Sequence, residues 1–131
     1  MDTVNAEKEQ RLSLLINTRY SRITIHRHTL RALGEPAFVY WGYNFQTNSL
    51  ILLGLGTDAQ KALRVSLNKD GSCYMYSKSL ITGLRSVGKY LIEDGSFYLK
   101  GEQERNMPVI AFPLEQAQKV MEYDGLENNR K

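Results

Sequence analysis

The chain has 131 residues, 42% of them hydrophobic, with a formal net charge of +3 and a single cysteine. Such a length makes one domain with enough apolar content to bury a core, while a lone Cys73 excludes an internal disulfide, and one cysteine with two histidines is too small a ligand set for a structural zinc site. No apolar run is long enough to span a bilayer, and "MDTVNAEKEQ" is polar where a secretory leader would be basic and then apolar, so a reducing cytoplasmic setting without a membrane partner is expected.

Residues 1–20 read as a polar N-terminal arm or short helix, because Leu12, Leu15 and Ile16 of "RLSLLINTRY" fall on one helical face. From Ser21 the period changes. Ile23 and Ile25 alternate with Thr24 as in a half-buried strand; Thr29, Leu30 and Leu33 then recur at helical spacing until Gly34 and Pro36 end the run. "AFVYWGYNF" and "SLILLGL" flank the turn residues "QTN" and predict a β-hairpin, "ALRVSL" predicts a further strand, and "NKDGS" is the strongest turn signal in the chain. The second half repeats this grammar. "CYMYS" alternates, "KSLITGLRSVGKYL" places Leu80, Leu84 and Val87 on one helical side, and "FYLKGEQ" with "PVIAFPL" predicts a second hairpin across "ERNM". Residues 114–131 read as a short C-terminal helix followed by a disordered tail.

The order strand, helix, strand, strand thus occurs twice, and setting Ile25 beside Met75 brings Leu30 beside Leu80. "SRITIHRHTLRALG", an aromatic strand, a turn and "SLILLGL" resemble the swapped-hairpin DNA-binding domains of the AbrB/SpoVT type, and the tandem arrangement, roughly residues 21–55 and then 72–113, resembles the MraZ layout. The chain is also similar to small uncharacterised proteins of Gram-positive bacteria that share "TLRALG", "YSKSL" and a late "GE". The resemblance implies an α+β fold: a β-rich, pseudo-two-fold swapped-hairpin barrel over 21–113, built from units of about 21–70 and 71–113, each short helix plugging one open end, with short terminal helices outside it. It also implies double-stranded DNA as partner and a basic contact surface around the first strand-helix unit. The chain departs from the family in carrying His26 and Arg27 where a proline usually follows the first strand, and "EPAF" where Gly-Asp usually follows Leu-Gly.

Arg11, Arg19, Arg22, Arg27 and Arg31 form a run with no acidic residue between them. Arg19, Arg22, Arg27 and Arg31, with Lys78 and Arg85 from the second unit, are the candidate DNA-binding residues, since DNA affinity comes largely from counterion release by Lys and Arg, and arginine adds bidentate contacts to guanine edges. The bland reading of these side chains is a set of solvated faces. His26 and His28 would share one face of an extended strand, but no third metal ligand lies near them in sequence. Tyr40, Trp41 and Tyr43 could stack on bases or simply pack, and Tyr74, Tyr76 and Tyr98 pose the same choice. "GLGTD" lacks the lysine of a phosphate loop, Cys73 has no neighbouring base and reads as a small buried side chain, and Ser77 with Lys78 reads as a helix cap beside an exposed charge. No nucleophile, base and oxyanion site come together, so neither an enzyme nor a cofactor is expected. The expected function is a DNA-binding transcriptional regulator of AbrB-like type. The alternative is a non-catalytic protein-interaction or self-association module, a homodimer included.

Overall fold

The computed structural model of the chain describes residues 11–120, apart from 89, 92 and 106. Strand β1 (Ser13–Asn17) turns back into β2 (Arg22–Ile25), which leads through His26 into helix α1 (Arg27–Ala32). Strands β3 (Phe38–Asn44) and β4 (Ser49–Leu55) follow, then the two-residue β5 (Leu63–Arg64), strand β6 (Cys73–Tyr76) and helix α2 (Lys78–Ser86). Strands β7 (Ser96–Lys100), β8 (Glu102–Gln103) and β9 (Val109–Pro113), a 3-10 turn at Leu114–Gln116 and β10 (Gln118–Lys119) complete the described chain.

The strands form two antiparallel five-stranded sheets, ordered β10-β7-β1-β2-β6 and β5-β3-β4-β9-β8. Both supply one core: Leu14, Ile16, Ile23, Ile25, Phe97 and Leu99 from the first sheet meet Val39, Leu50, Leu52, Ile110 and Phe112 from the second. The strand-rich α+β class read from the sequence therefore holds. The barrel implied by the resemblance is not seen, because the sheets keep separate strand orders and do not close on one another.

Three local readings need correction. The first is "RLSLLINTRY", where Leu14 and Ile16 are fully buried as alternate residues of a strand, and β1 sits between β2 and β7 with both of its edges paired. A ladder on either side satisfies more backbone than a short helix would. Residues 1–10 of the expected arm lie outside the described residues. The second is the second hairpin: "FYLK" pairs with β1, not with "PVIAFPL", and only Glu102 and Gln103 pair with β9. Gly101 is the corner between the sheets. Its N–H donates to the Leu12 carbonyl at 2.9 Å, and a Cβ there would stand 2.5 Å from Phe112 Cε2 and 2.7 Å from Ile110 Cγ2, so only glycine lets the chain cross this closely over the second sheet. The third is the C-terminal helix, which is a single 3-10 turn followed by the short strand β10; residues 121–131 are outside the described residues.

The predicted first hairpin is present as β3 and β4, with Asn44 Oδ1 accepting the N–H groups of Gln46 and Thr47 in its turn. "ALRVSL" contributes only the two paired residues of β5. Helix α1 ends as its sequence demands: Gly34 at φ +87° donates to the Arg31 carbonyl and Glu35 donates to the Leu30 carbonyl, the reciprocal pair that closes a helix through a left-handed residue. The two strand-helix units meet at one edge of the first sheet, where Thr24 faces Tyr74, Ile23 faces Met75 and Ile25 faces Cys73. An axis between Thr24 and Tyr74 exchanges β2 with β6. The likeness of the halves stops after the helices, because β3 enters the second sheet whereas β7 returns to the first.

Candidate nucleic-acid interface

Alternation along the first sheet buries Leu14, Ile16, Ile23, Ile25, Cys73, Met75, Phe97 and Leu99 and turns Leu15, Arg22, Thr24, Tyr74, Tyr76, Tyr98 and Lys100 to the other face. Register aligns these outward residues into rows. Tyr74, Thr24, Leu15 and Tyr98 lie successively opposite one another across four strands, and Tyr76, Arg22, Asn17 and Ser96 form the next row. None of the residues in β1, β2, β6, β7 and β10 is acidic. The Arg22 guanidinium lies 4.9 Å from the centre of the Tyr74 ring, while its Nε is buried and has no hydrogen-bond partner. Tyr74 keeps 47% and Tyr76 64% of its surface exposed. Ser13 and Thr24 on this side are themselves covered by their neighbours; the result is an acid-free sheet face with aromatic rings and a stacked arginine, chemistry suited to phosphates and to the π-faces of bases.

The six candidate residues do not form one patch. Arg19 is exposed in the turn from β1 to β2, a turn held by Asn17 Oδ1, which accepts the N–H groups of Arg19 and Tyr20. Lys78 opens α2 directly after Ser77, whose N–H donates to the Ser21 carbonyl at 3.0 Å. Arg19, Arg22 and Lys78 therefore gather at one end of the β2–β6 pair. Arg27 and Arg31 lie at the opposite end, on consecutive turns of α1. There they line a groove of about 280 Å³ with Leu30, Glu35, Leu67 and Gly71. Glu35 faces the same space, and Asp70 lies near Arg27; hydrogen bonds from Ser72 and, more weakly, the Arg27 charge hold the Asp70 carboxyl below its ordinary range. Arg85 belongs to neither group: its Nε donates to the Leu91 carbonyl at 2.8 Å and its guanidinium pairs with Asp94 at 3.2 Å, fastening the chain between α2 and β7.

The remaining candidates resolve into packing. His26 and His28 do not share a strand face, since His26 precedes α1 and His28 lies within it. His26 Nδ1 sits 2.8 Å from Ser13 Oγ and 3.3 Å from the Ser13 carbonyl, and burial holds its imidazole below the ordinary value. Cys73 is buried in β6, and that burial raises its thiol. Ser77 caps α2 by accepting the Leu80 N–H at 3.2 Å. Trp41 and Tyr43 pack against the core while Tyr40 faces outward from the second sheet, so the three make no common platform. Among the described residues no three His, Cys, Asp or Glu side chains gather as metal ligands, and no helix is long and apolar enough to cross a membrane. Lys100 was not singled out from the sequence. Its parity with Tyr98 in "FYLK" placed both on one strand face, but only the pairing of β7 with β1 brings that face beside Arg22 and Tyr74.

Comparison with known proteins gives no match: no family model, no curated protein and no solved structure matches this chain.

Proposed function

We propose that this chain is a non-catalytic DNA-binding protein whose contact surface is the outer face of the first sheet and the cations at its end. The observation that carries the reading is the acid-free face on which Arg22 stacks over Tyr74 beside the exposed Tyr76. Arg22 and Lys78 supply charge for phosphates and the tyrosines supply stacking surface. The AbrB-like resemblance sets the same proposal in a regulatory context; of the candidate contact residues, Arg27 and Arg31 lie at the far end of the β2–β6 pair and Arg85 is occupied in holding the fold together.

The face also bears on the form of the nucleic acid. Five strands at about 4.8 Å spacing make a sheet roughly 19 Å wide, against a major groove of about 12 Å. Tyr74 and Tyr76 stand two residues apart on one strand, about 6.8 Å, twice the 3.4 Å rise of stacked bases in a duplex strand. Two consecutive bases landing on these rings must be unstacked from each other, which an unpaired strand permits at small cost. Fluorescence anisotropy with single-stranded and duplex DNA, at low and near-physiological salt, tests the reading. Binding should weaken steeply with salt, favour the single strand, and fall by about 1–3 kcal/mol in Tyr76→Ala. Absence of binding to both forms at low salt would sink it.

A second reading, self-association, is favoured by a separate observation on the other sheet.

A further inference from the structure

In an antiparallel sheet with one solvated face, the outward residues are ordinarily polar. The second sheet breaks this rule. With Val39, Leu50, Leu52, Ile110 and Phe112 pointing into the core, alternation turns Phe38, Tyr40, Ile51, Leu53, Leu55, Val109 and Ala111 outward, and no outward position of β3, β4 or β9 is charged. Tyr40, Leu53 and Val109 lie opposite one another in the middle row, and Tyr40 keeps 38% of its surface exposed. Charge appears only at the two edges. Arg64 of β5 lies opposite Phe38, its guanidinium 5.0 Å from that ring, while Glu102 of β8 lies opposite Ala111 on the far side.

We infer that this face is a homodimer interface, its occupant a second copy of the chain. Opposite charges at diagonally opposite corners, with an apolar centre at Leu53, make the face complementary to itself. A two-fold axis lying between two such faces, over Leu53 and across the Arg64–Glu102 diagonal, sets Arg64 of each copy against the partner's Glu102 and stacks the apolar rows. The footprint is roughly 20 Å by 20 Å from strand spacing and rise, the size of a small interface, so association is concentration-dependent and not permanent. Because the first sheet packs on the inner side of the second, the dimer carries the two outer faces of its first sheets on opposite sides. If those faces bind DNA as proposed above, the assembly is bivalent; the dimer itself does not depend on that reading.

Sedimentation equilibrium of the full chain over a wide concentration range is the test. The wild-type chain should pass from monomer to dimer, and Leu53→Lys, which sets a charge at the centre of the face, should weaken the dimer by about thirtyfold or more, a hot-spot loss, with an unchanged circular dichroism spectrum and, at concentrations where both chains are monomeric, an unchanged melting temperature. Arg64→Glu and Glu102→Lys should each weaken it several-fold, and the two together should restore it. A chain monomeric at every concentration would overturn the inference, as would a dimer indifferent to Leu53→Lys or a double reversal no better than either single change. Loss of DNA binding with the dimer intact would overturn only the reading of the first sheet.

Discussion

At His26 two demands meet in one side chain. It precedes α1 in extended backbone, and its ring reaches back to Ser13 at the start of β1, where Thr29 Oγ1 also accepts the Ser13 N–H and donates to the Ser13 carbonyl, both at 2.8 Å. Burial lowers the imidazole below 6.5, against a smaller raising effect of the Ser13 carbonyl. As pH falls through 6.5 the unfolded chain takes up a proton before the folded one does. His26 therefore costs nothing above that value, and stability is lost as pH drops towards the lower folded value. Asp70, held down by hydrogen bonds from Ser72, and Glu93, held down by the hydrogen bond and charge of Lys119 at 2.8 Å, lie below their ordinary 3.8 and 4.5, keep their contributions above those values and lose them only at still lower pH. Melting temperature should thus fall between about pH 7 and about pH 5 in the wild-type chain and change less in His26→Asn; equal slopes would remove His26 as the cause.

The helices are the elements most fully written in their own residues. Leu30 and Leu33 of the first run are buried as the spacing requires; of Leu80, Leu84 and Val87 in the second, Leu84 is buried, Leu80 and Val87 are only partly buried, and Ile81, which the reading left out, is buried instead. The stop at Gly34 and the cap at Ser77 satisfy groups that a helix end leaves open. Gly34→Ala meets no neighbouring atom yet must hold φ +87°, a strain of roughly 1–2 kcal/mol, and Ser77→Ala should cost about 1 kcal/mol. Chemical denaturation measures both, and an unchanged midpoint in either variant would contradict the cap geometry. The strands were less legible. In "RLSLLINTRY" the residues Leu12, Leu15 and Ile16 fit a helix while Leu12, Leu14 and Ile16 fit a strand, and the segment itself does not choose. Its two partners choose: β2 lies close in sequence, but β7 is some eighty residues away. The same reason explains why "FYLK" and "PVIAFPL", each recognisable as a strand, were joined wrongly; Gly101 lets the chain change sheets between them.

At the scale of the molecule, the two outer faces have opposite characters, one aromatic and acid-free, the other apolar with charge only at its rim. The arginine run from Arg19 to Arg31, close together in sequence, is divided by β2 into two ends of the first sheet, and Arg85, in α2, spends its guanidinium on the segment before β7. A comparison of arginines follows. Arg85→Ala should lower stability by about 1–3 kcal/mol through the lost carbonyl and carboxylate partners while leaving salt-dependent DNA binding unchanged once folded, whereas Arg22→Ala should weaken binding. If Arg85→Ala weakens binding as much as Arg22→Ala does in proteins shown to be folded, the contact surface is not the one proposed.

Residue spacing alone determined that strands alternate with two short helices, where both helices begin and where the first one ends, the first hairpin and the buried role of Cys73, because each depends on neighbours within a few residues; the second helix stops at Ser86, short of the run "KSLITGLRSVGKYL". Which strands pair, and therefore which outward side chains share a face, depends on residues far apart in the chain. Arg22, Tyr74 and Tyr98 share one face, and Arg27 parts from Arg22, only because β6 and β7 come to β2 and β1 in one sheet, where burying a shared core outweighs the cost of bringing distant segments together.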